Sequence, residues 1–107
     1  MVAITCYIKP HVLEGVKTAI ADCGVSGISV SDVRGCGNSE QTDLRQGMRL
    51  AMMSKIRVVV PNELTDQVIQ AILDNAQTGQ PGDGKIFIEK ISDVIRIRTF
   101  ERGETAV

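Results

Sequence analysis

Between Thr78 and Lys85 the chain reads Thr-Gly-Gln-Pro-Gly-Asp-Gly-Lys, a glycine-rich turn that ends in a lysine where a β-prone run begins. Glycines let successive backbone N–H groups converge on an anion without side-chain obstruction, and the Lys85 ammonium adds a point charge of the kind phosphate requires. The turn is not a Walker A loop, because Lys85 is followed by Ile86 and a strand rather than by Ser or Thr and a helix. Farther on, Arg96 and Arg98 stand two residues apart. On a strand that spacing puts both guanidiniums on one face, where they would seek an anion. Each feature has a bland alternative, a solvated turn in one case and surface ion pairs in the other. Asp83 could hold a base, a ribose hydroxyl or the turn itself.

These groups need a scaffold, and the hydrophobic pattern predicts one. Val2 to Ile8 is β-prone and stops at Lys9-Pro10, since proline suits the first turn of a helix but cannot continue a ladder. From His11 to Cys23, Val12, Leu13, Val16, Ala19 and Ile20 recur at helical spacing, and Gly24 supplies a left-handed cap. Ile28 to Arg34 alternates as a second strand and breaks at Gly35-Cys36-Gly37. The same syntax returns in Lys55 to Val60, Pro61, and Leu64, Val68, Ala71 and Ile72 at helical spacing. Lys85 to Ile91 and Val94 to Ile97 are expected to be further strands. The order predicts an α+β fold, a ferredoxin-like βαββαβ sandwich with two helices on one face of an antiparallel four-stranded sheet. Val58-Val59-Val60 is apolar on both sides, so the second sheet face is expected to pack against other copies of the chain.

The length of 107 residues fits a single domain spanning 1–107. With 43% apolar and 23% charged residues and a net charge of -1, the composition is that of a globular protein. Near-neutrality and scarce aromatics speak against a nucleic-acid binder. No apolar run approaches the roughly 20 residues that span a bilayer, and Met1 to Pro10 does not read as a signal peptide, so a cytoplasmic protein is expected. Cys6, Cys23 and Cys36 are odd in number and lack CxxC spacing, which suggests neither a disulfide framework nor a metal site. Cys6 and Cys23 are expected to be small buried hydrophobes. His11 is expected to face solvent, and no Cys/His or paired-carboxylate constellation appears, so no catalytic residue is assigned. A small phosphatase is the competing enzyme reading. A purely structural oligomer would leave the Gly82-to-Lys85 turn and the arginines without a ligand.

The segment from Asn38 to about Met53 joins two strands where a tight hairpin would have sufficed, and loops of that length are usually functional or disordered. Its second half, Leu44 to Met53, is predicted as a short helix with Leu44, Met48 and Met52 on one face. Asn38, Ser39, Gln41, Arg45 and Met48 are the candidates for contact with an effector or a partner.

The run Thr78-Gly79-x-x-Gly82-Asp83-Gly84-Lys85-Ile86-Phe87, followed by Val94-Ile95-Arg96-Ile97-Arg98-Thr99 and Glu101-Arg102-Gly103-Glu104, closely resembles the PII signal-transduction proteins. Ile8-Lys9-Pro10, Gly24 to Val30, Gly35-Cys36-Gly37 and Val58 to Pro61 share the resemblance. It implies a homotrimer with an adenine nucleotide (ATP, ADP or AMP) in each cleft between neighbours, held as a ligand rather than as a catalytic cofactor. By matched position, Gly35 and Gly37 would let the backbone approach the nucleotide, and Gly82, Asp83, Gly84 and Lys85 would surround the phosphates. Arg96 and Arg98 would reach those phosphates from the adjacent subunit, and Ser29, Arg57 and Val59 would lie near the adenine. Residues 38–53 would be the regulatory loop, 78–85 the phosphate loop and 96–107 the C-terminal segment.

Departures from the family pattern are specific. Asn38 and Ser39 replace the Arg-Gln pair that helps hold magnesium, ATP and 2-oxoglutarate, and Cys36 replaces the usual phenylalanine. The only tyrosine, Tyr7, lies in the first strand, so a modifiable loop tyrosine is lacking. Met52-Met53 stands where a Pro-Lys is usual, and the loop is about five residues short by alignment. The reading favoured on this pattern is a PII-like regulator in inorganic carbon metabolism, of the carboxysome-associated type, with bicarbonate as effector. The alternative is a nitrogen regulator that docks its loop on an ammonium transporter or a metabolic enzyme.

Overall fold

The computed structural model describes residues 1–35 and 50–107. Four strands and two helices follow in the order β1 (Val2–Ile8), α1 (Leu13–Asp22), β2 (Ser29–Gly35), β3 (Ala51–Val60), α2 (Thr65–Ala76) and β4 (Lys85–Lys90). The strands form one sheet in the order β2-β3-β1-β4, and β1 pairs antiparallel with β3 and β4, as β2 does with β3. This is the expected ferredoxin-like arrangement.

Alternation along β1 and β3 assigns the two sheet faces. Ile4, Cys6 and Ile8 on β1 share a core with Ile56, Val58 and Val60 on β3, Val16 and Ile20 on α1, and Val68, Ile72 and Ala76 on α2. The helix residues recur four apart, which keeps one stripe of each helix on the sheet. Each fully buried Ile or Val contributes about 1.5–3 kcal/mol relative to exposure. Both helices open on a short 3-10 turn, Pro10–Val12 and Asn62–Leu64, entered from an extended Lys9 or Pro61. The repeated strand-proline-helix syntax therefore folds the same way twice. Gly24, at φ +92°, ends α1 as predicted.

The opposite face is mixed rather than uniformly apolar. In register across the strands lie Ser29, Arg57, Thr5 and Phe87, and beside them Ser31, Lys55, Tyr7 and Lys85. Tyr7 meets Phe87 edge-on, with ring centroids 5.8 Å apart, and Lys55 Nζ lies 5.9 Å from the Tyr7 centroid. Of Val58, Val59 and Val60, only Val59 belongs to this face, since the other two lie in the helix-side core.

Two expectations are corrected. Ala51 to Met53 are strand, not helix, because Met52 and Met53 pair with Arg34 and Val33 and extend β3 beyond the predicted Lys55 start. Residues 44–49 of that predicted helix, with Leu44 and Met48, lie outside the described residues, as do Cys36, Gly37, Asn38, Ser39, Gln41 and Arg45. Val94 to Ile97 is not a strand either, and only an isolated bridge joins Ile95 to Arg102. Local bonds compete with a ladder there. Asp93 accepts from its neighbour Val94 N at 2.9 Å and from Gly103 N at 3.1 Å, while Arg96 N donates to Glu101 O and Phe100 N to Arg96 O.

Candidate functional site

The glycine-rich turn is built from β1 outward. Gly84 sits at φ +104°, and a Cβ there would overlap the Tyr7 carbonyl, so only glycine lets the turn lie this close to β1. One residue on, Lys85 pairs with Tyr7 and opens β4, with its side chain exposed on the mixed face.

Asp83 holds the turn's interior. One carboxylate oxygen accepts from Thr78 N at 2.8 Å and Gly79 N at 3.1 Å. The other accepts from the Thr78 hydroxyl and lies 3.2 Å from Lys9 Nζ. The Thr78 hydroxyl also accepts from Gln80 N and from Lys9 Nζ, each at 3.2 Å. Hydrogen bonds from the Thr78 hydroxyl and amide, assisted by Lys9 and the Gly79 amide, hold the Asp83 carboxyl well below the usual carboxylate range. Asp83 is therefore occupied with the turn itself, one of the roles open to it on sequence grounds. Lys9 and Thr78 were not singled out as site residues. In the sequence Lys9 stands at the end of a strand and within the Ile8-Lys9-Pro10 run that shares the family resemblance, and neither place points to the turn.

A second concavity, about 490 Å³, lies at the other end of the sheet. Ser29, Arg57 and Val59 line it together with Gly27, Glu104 and Val107, so the candidate base-contacting residues share one groove. Arg57 Nη1 donates to Thr5 Oγ1 at 3.0 Å and to Glu89 Oε1 at 3.3 Å.

Within one subunit the two regions stay apart. Val59 pairs with Ala3 and Lys85 with Tyr7, four residues along β1. At ~3.3 Å per residue that is about 13 Å, and Ser29 and Lys85 lie on opposite edge strands.

Arg96 and Arg98 are not aligned on a strand. Arg96 Nη1 pairs with Glu101 Oε1 at 3.3 Å, and its Nη2 reaches Thr105 O at 3.5 Å. Arg98 lies within the 97–99 turn, exposed, with no ion pair among the described residues. The turn closes through Phe100, at φ +62°. Gly35 ends β2 opposite Ala51, with open space where a Cβ would project. His11 is exposed, and Cys23 is half-buried rather than buried, its Sγ 3.3 Å from Ala19 O. Among the described residues no group of His, Cys, Asp and Glu could hold a metal ion, and no helix is long and apolar enough to cross a membrane.

A ferredoxin-like subunit thus carries a glycine-lysine turn at one end of its sheet and a groove of about 490 Å³ at the other. The chain belongs to the P-II family: the family described as "Nitrogen regulatory protein P-II" matches residues 1–101. Curated relatives of that name include the protein of Haemophilus influenzae, 43% identical over the full length of both chains, and that of Pasteurella multocida, 41% identical over the same coverage. "Nitrogen regulatory protein P-II 1" of Escherichia coli is 38% identical, again over all of both chains. These alignments run over 112 positions for a chain of 107 residues, so five positions lack a residue here. The family's proteins are trimeric regulators, not enzymes, that bind adenine nucleotides and act on partner proteins. Nitrogen regulation, the alternative reading of the sequence, is better supported than the inorganic-carbon reading, for which these relatives offer nothing.

Proposed function

We propose that this protein is a nitrogen-regulatory P-II signal transducer that binds ATP, ADP or AMP in the clefts of a homotrimer and passes the signal to a protein partner through residues 38–53. The observation that carries this reading is the separation of two complementary half-sites on one sheet. Gly82, Gly84 and Lys85 offer backbone donors and a cation at one end, and Ser29, Arg57 and Val59 line a groove at the other. One nucleotide would engage both only if the groove of one subunit met the turn of its neighbour. Gly35 and Gly37 would flank the phosphates, and Arg96 and Arg98 would arrive with the groove-bearing subunit, because Glu104, Ala106 and Val107 of the same C-terminal segment help line that groove.

Signalling is then a population shift: phosphate neutralises Lys85, Arg96 and Arg98, and the loop conformation compatible with that arrangement is selected. Asn38, Ser39, Gln41, Arg45 and Met48 are the proposed contacts to effector or partner. An ammonium transporter or a metabolic enzyme is the partner class. Calorimetric titration with ATP, ADP and AMP, with and without 2-oxoglutarate and with and without bicarbonate, tests the reading. Nucleotide binding at one site per subunit supports it, and absence of binding overturns it. Enhancement by bicarbonate alone would return the protein to inorganic carbon control.

A further inference from the structure

A carboxylate in the middle of a phosphate-binding turn poses an electrostatic problem, since Asp83 carries a full negative charge beside the place an anion must occupy. The structure supplies a counter-charge from another element. Lys9, in the extended residue between β1 and its 3-10 turn, places Nζ 3.2 Å from Asp83 Oδ1 and 3.2 Å from Thr78 Oγ1. The two side chains are only 22% and 25% exposed, so solvent screens the pair incompletely. The lysine stem runs beside Gly82, where a Cβ would make an ordinary contact with Lys9 Cε at 3.6 Å.

We infer that Lys9 is a positioning residue that cancels the charge of Asp83, so that Asp83 can organise the turn without repelling the phosphates. The inference rests on the reading of residues 82–85 as a phosphate site. Asp83 spends its acceptor capacity on Thr78, Gly79 and Lys9, and so fixes the turn. Lys85 is then left as the cation that meets the ligand. A lysine that only anchored the turn mechanically would be replaceable by any side chain that keeps the turn in shape; a charge-cancelling lysine would not.

The test is a charge cycle on the full-length protein: wild type, Lys9→Gln, Asp83→Asn and the double variant, each titrated with ATP and with AMP. Lys9→Gln is expected to weaken ATP binding about tenfold, the scale of one uncompensated like-charge contact, and to weaken AMP less. Adding Asp83→Asn to Lys9→Gln should restore most of the loss, and Lys9→Arg should bind as wild type does. Equal losses for ATP and AMP, or a double variant no better than Lys9→Gln, would overturn the inference. If the wild type binds no nucleotide, the functional reading fails by itself. Carboxyl-carbon NMR of Asp83 then decides the charge pairing: Lys9→Gln should raise its titration midpoint, and an unmoved midpoint rejects the pairing.

Discussion

Gly84 lies so close to the carbonyl of Tyr7 that no side chain fits between them, and this single approach joins the glycine-rich turn to the central strand of the sheet. It places Lys85 opposite Tyr7 at the first rung of the β1–β4 ladder. Lys85, the proposed ligand contact, is thus indexed to the protein core through backbone alone.

Gly84→Ala should therefore be costly for two reasons, the overlap with Tyr7 and a left-handed φ that alanine resists. A loss above about 2 kcal/mol is expected. Urea denaturation measures it, and ATP affinity should fall with it because the start of β4 has to move.

Lys85→Ala should behave in the opposite sense. Its side chain is exposed at the strand start and supports no core contact, so stability should stay within about 0.5 kcal/mol while nucleotide binding weakens. Sedimentation should still report a trimer, and collapse of the assembly would contradict the division of roles between turn and core.

Ile72→Ala tests the core between α2 and the sheet. Ile72 is fully buried among β-strand and helix side chains, and truncation there should cost about 2–5 kcal/mol. The same change at exposed Ile97 should be nearly silent in the isolated chain's stability.

Cys6 provides a pH dependence of definite sign. Burial pushes its thiol up to about 11, against the smaller opposing effect of a hydrogen bond from the Ile56 backbone. An unfolded thiol ionises near ~8.5. The protonated folded form is fully favoured below that value, and the advantage disappears as pH rises through the folded pKa. Stability should accordingly decline between pH 8.5 and 11, on the order of 2 kcal/mol, and the decline should be smaller in Cys6→Val. At neutral pH Cys6 should resist thiol reagents until the protein unfolds.

Asp93 organises the C-terminal segment through Arg102, whose hydrogen bonds come first among the causes that hold its carboxyl below the ordinary range. Its depressed pKa means that the contact is complete above the ordinary carboxylate range and is lost only as pH falls below it. Hydrogen exchange at Gly103 N, which donates to Asp93, should accelerate in Arg102→Ala at neutral pH and in the wild type only in strong acid.

The elements that periodicity predicted well were those whose residues had one obvious burial partner. Val16 and Ile20, or Val68 and Ile72, recur at helical spacing because one helix stripe meets one sheet face. Met52 misled because helical spacing with Leu44 and Met48 is a local pattern, whereas pairing with Arg34 is a property of the sheet. Arg96 and Arg98 misled for the reverse reason. A two-residue spacing says strand, but Asp93, Thr99 and Glu101 supply bonds that close a turn instead. At the glycine-rich turn the glycines and Lys85 were legible. The Lys9 to Asp83 contact was not, because it joins positions far apart in sequence that only the fold brings together.

Gly35 and Ala51 face each other at the last rung of the β2–β3 ladder, so residues 36–50 leave and re-enter the sheet at one point. For a chain segment pinned in that way, closure entropy varies only logarithmically with length, and a difference of five positions would change it by ~0.3 kcal/mol. Nothing in the core or in the turn at residue 84 registers such a change. The hairpin end acts as a socket: what is plugged into it can be lengthened, trimmed or exchanged while the sheet beneath stays the same.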